Sequence, residues 1–156
     1  MSQAQSNNQY QQLLLSEECF SESSPSVLLA EADKEVRKLL KYSLTKCGYS
    51  VIECSHGIEL MSRLGTLATA DKPDKVDLII TDIRMPGISG LEIFKEMKNE
   101  GGFPPFILIS ASRDKVLCNQ EKRFGAVSIF GNPFDVDELL VKVMKIVPPE
   151  SHRATT

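Results

Sequence analysis

Two apolar runs in this chain end in acids. Val27-Leu28-Leu29-Ala30 leads into Glu31 and Asp33, and Val76-Asp77-Leu78-Ile79-Ile80-Thr81 leads into Asp82, after which the chain continues Ile83-Arg84-Met85-Pro86-Gly87. A buried strand that ends in a carboxylate delivers that group to the rim of a sheet, and two such strands side by side bring their carboxylates together. Paired carboxylates suit a hard divalent cation, which prefers oxygen ligands, and through the cation they suit a phosphoryl group.

The elements that position these acids follow from periodicity. From Ser26 onward short apolar runs, at 27–30, 49–54, 76–81, 106–110 and 127–130, alternate with segments of helical period, the pattern of repeated βα units. The helical stripes are Val36, Leu39, Leu40, Leu44 and Cys47; Ile58, Met61 and Leu64; Leu91, Phe94 and Met97; and Val136, Leu139, Leu140, Val143, Met144 and Val147. A fourth candidate helix at 115–124 has only Val116, Leu117 and Phe124 to bury, so it is expected to be the most loosely held. Runs one, three and four are continuously apolar, as strands covered on both faces are, whereas Ser50-Val51-Ile52-Glu53 is mixed and suits an edge. Right-handed crossovers then predict a doubly wound (βα)5 α/β fold, a five-stranded parallel sheet in the order 2-1-3-4-5 with helices on both faces. The strand order reverses between strands one and three, so the crevice at their carboxyl ends receives both Glu31 and Asp82.

Composition bounds the rest. The 156 residues, 42% hydrophobic, suffice for one core. The expected organisation is a flexible Gln/Ser-rich extension over 1–25, a domain over 26–147 and a disordered tail over 148–156. Within the extension, Tyr10, Leu13, Leu14, Leu15 and Phe20 form one apolar cluster. The net charge of −3, with acids and bases interspersed, gives no basic stripe for nucleic acid. No apolar run approaches the roughly 20 residues that span a bilayer, and the start lacks a basic secretory n-region, so a cytoplasmic protein is expected. Cys19, Cys47, Cys54 and Cys118 lack metal spacing and read as reduced thiols; His56 and His152 read as surface residues.

The run Asp77-Leu78-Ile79-Ile80-Thr81-Asp82-Ile83-Arg84-Met85-Pro86-Gly87-Ile88-Ser89-Gly90-Leu91-Glu92, with Glu31, Arg37, Ser110-Ala111, Gly125-Ala126 and Pro133-Phe134-Asp135, resembles the receiver domain of two-component response regulators over about residues 26–147. The resemblance implies a non-enzymatic signalling module of a phosphorelay, with Asp82 as phosphoacceptor and Ser110 as switch hydroxyl. Magnesium would be held by Glu31, Asp82 and the backbone carbonyl of Arg84. Its partners would be a histidine kinase or phosphotransfer protein, other signalling proteins at a face made by the fourth helix, fifth strand and fifth helix, and, for some members, a second copy. No output domain, direct nucleic-acid contact or membrane contact is expected.

Three departures from the family pattern qualify that picture. Ala32 stands where the family carries a second acid, so magnesium is expected to bind weakly or not at all. Asp33, one position later, reads as the N-cap of the first helix. Asn132 stands in place of the family lysine and carries no charge for the phosphorylated aspartate. Ile129 replaces the aromatic switch residue, and strand alternation sends Phe130 to the opposite face as core. Arg84 offers a substitute charge or is simply a solvated loop residue. Two versions of the module therefore stand side by side, one phosphorylated on Asp82 and one a degenerate pseudo-receiver that acts as a scaffold or docking partner without phosphorylation. A flavodoxin-like small-ligand binder is the reading from another class, and it lacks a glycine-rich phosphate cradle.

Overall fold

The computed structural model describes residues 24–69, 75–100, 103–111 and 128–149. In chain order these form β1 (Ser26–Ala30), α1 (Lys34–Lys46), β2 (Ser50–Cys54), α2 (Gly57–Thr69), β3 (Leu78–Asp82), α3 (Gly90–Glu100), β4 (Phe106–Ala111), β5 (Ser128–Asn132) and α4 (Val136–Ile146). All five strands are parallel in one sheet, ordered β2-β1-β3-β4-β5. The expected α/β topology is the observed one. The candidate helix at 115–124 and most of both extensions lie outside the described residues. Of the extensions, Pro25 is buried and accepts the Ser50 N–H at 2.9 Å, and Pro149 is buried with its Cβ near Gly48.

Each sheet face has its own core because side chains alternate along a strand. On one face Val27, Leu29, Leu78, Ile80, Ile107 and Ile109 pack with Leu40 and Leu44 of α1 and Leu139 and Val143 of α4. The buried Tyr49 hydroxyl donates to the Val147 carbonyl at 2.6 Å and ties the start of β2 to the end of α4. On the other face Leu28, Ile79, Phe106, Leu108 and Ile129 pack with Leu60 and Leu64 of α2 and Ile93 and Phe94 of α3. Phe94, Phe103 and Phe106 meet edge to face, with centroids 5.2 to 6.4 Å apart. Ile129 and Phe130 fall in opposite clusters, as alternation predicts.

Helix α1 shows how local sequence sets an element's ends. Asp33 accepts the N–H groups of Glu35 at 2.9 Å and Val36 at 3.2 Å, which satisfies donors that the first turn leaves open. At the other end Gly48, at φ +98°, donates to Thr45 while Tyr49 donates to Leu44, a glycine-terminated cap that a side chain would strain.

The structure corrects three details of the pattern. The run at 76–81 forms a strand only from Leu78, and it ends one residue later, at Asp82. Asp77 instead brackets the start of β1: its N–H donates to the Ser26 carbonyl and its carboxylate accepts the Ser26 N–H, both at 2.9 Å. The buried stripe of α2 is Leu60 and Leu64; Ile58 is 59% exposed and Met61 36%. Leu39 of α1 is likewise 50% exposed. A segment with apolar residues on more than one side allows several stripes, and the helix rotation is chosen by which one fills the sheet face.

Candidate functional site

The register brings the acids together. Val27 to Ala30 pair with Leu78 to Thr81 in parallel, so Glu31 and Asp82 each follow the last matched pair at the carboxyl rim. Glu31 is held there by its backbone: its N–H donates to Cys54 at 3.1 Å, and its carbonyl accepts Arg37 Nη1 at 2.8 Å. Arg37 is in turn 3.8 Å from the Glu53 carboxylate, which Lys41 meets at 2.9 Å. Asp82 is held from below, because Gly90 lies against its backbone. A Cβ on Gly90 would stand 1.9 Å from the Asp82 carbonyl oxygen and 2.7 Å from Thr81 Oγ1. Only glycine allows that approach.

The electrostatics are those of two acids in one small space. The carboxyls of Glu31 and Asp82 lie within hydrogen-bonding reach of each other. Ionised carboxylates are acceptors only, so they cannot satisfy each other without a shared proton or a cation. Glu31 is 3% exposed; its Oε1 accepts the Asp33 N–H at 3.1 Å, and its buried Oε2 has no hydrogen-bond partner. Burial, the hydrogen bond to Glu31 and the charge of Glu31 push the Asp82 carboxyl up to about 9; the Ala32 N–H, 3.2 Å from Oδ2, acts the other way. A buried acid with an orphaned oxygen beside a second acid is an arrangement that a divalent cation relieves.

The residues fit a magnesium ion. Two carboxylates with one carbonyl and several retained waters is an ordinary set for it. Among the described residues no three His, Cys, Asp or Glu side chains form a metal cage, so the protein would supply two side chains and leave the remainder to backbone and water. Arg84 lies in the loop after β3, where its side chain is exposed. Asp33, whose side chain is engaged as the α1 cap, does not replace the acid that Ala32 lacks.

The opposite wall comes from β4 and β5. Asp82 pairs with Ile109, so Ser110 stands one position further along, where it is 1% exposed and pairs with Gly131. Asn132 ends β5 opposite Ala111; its side chain lies outside the described atoms. The sheet thus brings Glu31, Asp82, Ser110 and Asn132 to one rim. Two contributors escaped the sequence reading. The Ala32 N–H donates to Asp82 whatever side chain Ala32 carries, and Gly90 earns its place by a contact with Asp82 that no spacing rule encodes.

Comparison with known proteins agrees with this geometry. The chain is 29% identical over 126 residues to the sporulation initiation phosphotransferase F of Bacillus subtilis, covering 81% of this chain and 96% of that protein. It is 31% identical over 124 residues to the C4-dicarboxylate transport transcriptional regulatory protein DctD of Pseudomonas aeruginosa, covering 80% of this chain but 25% of that longer protein. The response regulator TrrA of Thermotoga maritima, solved in complex with Mg2+ and BeF, superposes with a TM-score of 0.66 at 28% identity, over 79% of this chain and 99% of that one. The family model of the response regulator receiver domain matches residues 27–144, from the second residue of β1 to two residues short of the end of α4, and the chain belongs to that family.

Proposed function

We propose that this chain is a phosphorelay receiver module that accepts a phosphoryl group on Asp82 from a histidine kinase or phosphotransfer protein. The observation that carries the proposal is the Glu31–Asp82 pair with its orphaned Oε2. Two acids kept this close in a buried rim store repulsion that packing alone does not require, and a cation site accounts for it.

In this reading Glu31, Asp82 and the Arg84 carbonyl would hold magnesium, which when bound would supply positive charge to the oxygens of the transferring group. The chain's own residues do the remainder. The Asp82 carboxyl ionises, its proton passing to solvent, and the Ala32 N–H orients Oδ2 of Asp82. An Asp82 oxygen then forms a bond to phosphorus as the phosphorus–nitrogen bond of the donor's phosphohistidine breaks and the imidazole leaves. Ser110 offers a hydroxyl to the new phosphoryl oxygens. Asn132 offers an amide donor where a cation would stabilise the product more strongly, so slow transfer and a weak switch are expected.

Response through protein contacts, at a face formed by the segment preceding β5, β5 itself and α4, belongs to the same proposal, as do a cytoplasmic location and self-association. Among the described residues no helix is long and apolar enough to cross a membrane.

The test is incubation of the full chain with a small acyl phosphate, with and without magnesium, read by intact mass. The expected result is a gain of one phosphoryl group that needs magnesium and disappears in Asp82→Asn. No gain from the small donor or from histidine-phosphorylated phosphotransfer proteins would overturn the proposal in favour of a phosphorylation-independent docking module.

A further inference from the structure

The loop that follows Asp82, residues 83–89, is braced by the start of α2. Its start is fixed to the sheet and its end to its start: the Ile83 N–H donates to Ile109 at 2.8 Å, and the Gly90 N–H returns to the Ile83 carbonyl at 3.0 Å. Met85 is buried between them. The far part of the loop rests on the first turn of α2. A Cβ on Gly57 would stand 1.9 Å from the Ile88 carbonyl oxygen, 2.8 Å from its carbonyl carbon and 3.2 Å from its nitrogen. All three are backbone atoms, so no side-chain rotation could relieve the clash. The next residue, Ile58, covers Gly87, which turns the loop at φ +86°; a Cβ on Gly87 would be 3.4 Å from Ile58 Cγ1.

The helix side of this contact is itself held firmly. The Glu59 carboxylate accepts both the N–H of Ser55 at 3.0 Å and its hydroxyl at 3.1 Å, and the Glu59 N–H donates to His56 Nδ1 at 3.2 Å. Leu60, three residues into the helix, is fully buried. With α2 held by the hydrogen bonds of its first turn and by Leu60, and the loop tied at Ile83 and Gly90, a side chain at Gly57 would be relieved by moving the stretch between those ties, which begins at Arg84.

We infer that Gly57 is a positioning residue for cation binding: by letting the Ile88 backbone seat on α2, it sets the height of the loop that presents the Arg84 carbonyl to Glu31 and Asp82. The inference rests on the magnesium site proposed above. It makes the β2–α2 connection part of the site's support, although neither Gly57 nor Ile58 touches the acids.

Stabilisation by a ligand depends on its concentration relative to its dissociation constant, so a magnesium titration followed by melting temperature separates affinity from intrinsic stability. The full chain, Gly57→Ala, Ile58→Ala and Gly65→Ala are compared. Gly65 lies in the same helix with nothing within 4 Å of a built Cβ, so Gly65→Ala should leave half-saturation unchanged. Gly57→Ala should weaken magnesium binding on the order of tenfold, the usual penalty for losing outer support of a metal ligand. Ile58→Ala, an exposed position that will fold, should weaken it by less. A Gly57→Ala protein with lowered melting temperature but unchanged half-saturation would overturn the inference. If that variant does not fold, unchanged half-saturation in Ile58→Ala would do so. Absence of any magnesium response in the unaltered chain would instead sink the cation site itself, and the inference with it.

Discussion

The two walls of the crevice are unlike each other. On the β1–β3 side two carboxylates crowd together with an unsatisfied buried oxygen, and burial with like charge pushes Asp82 up to about 9. On the β4–β5 side stand a buried hydroxyl, Ser110, and the strand-end position Asn132, neither of them charged. The first wall is suited to attract a cation, whereas among the described residues Ser110 gives the second wall no fixed charge with which to hold the anion that the proposed transfer would create. In the proposed function, accepting a phosphoryl group and stabilising it afterwards would therefore be separate properties, open to separate alteration.

Restoring charge to the poorer wall should have the largest effect. Asn132→Lys is expected to raise the rate of magnesium-dependent phosphoryl transfer by about a hundredfold, the scale on which a charge-stabilising donor acts, measured as initial rate by intact mass. An unchanged rate would show that the β5 end does not face the reacting group.

Enriching the other wall should matter next. Ala32→Asp adds the acid absent from the crevice and should tighten magnesium binding by about tenfold, while lowering the melting temperature without magnesium because a third carboxylate joins the repulsion. The two changes should combine nearly independently, since one acts on the cation and the other on the anion.

Asp33 provides a smaller contrast. As a cap it should contribute about 1 kcal/mol, so Asp33→Ala should lower stability in urea denaturation and leave magnesium half-saturation close to that of the unaltered chain. A large loss of magnesium affinity would move Asp33 from the helix cap into the cation site.

The pH dependence of the metal-free protein isolates the acid pair from the cation. An acid raised from its ordinary 3.8 to about 9 binds more protons folded than unfolded between those values. Stability is therefore fully present below the lower value and is lost as pH rises toward the upper one. The melting temperature without magnesium should fall on going from about pH 5 to about pH 8, and the fall should be shallower in Asp82→Asn. Equal slopes would mean that Asp82 is not the raised acid.

Much of this was legible in the chain because it depends on neighbours in sequence. Alternation of period two and period 3.6 predicted five strands and their order, since right-handed crossovers leave few choices. The Asp33 cap was legible because capping is a contact over two or three residues. The convergence of Glu31 and Asp82 followed from topology alone. Sequence did not show which stripe of α2 is buried, that the orphaned oxygen is Glu31 Oε2, or that the Ala32 amide would serve Asp82. Nor did it show that Gly57 and Gly90 admit backbone from elsewhere in the chain. Those features join segments as much as 50 residues apart, such as Ala32 and Asp82. They depend on distances of a few tenths of an ångström that only the packed sheet and its helices determine.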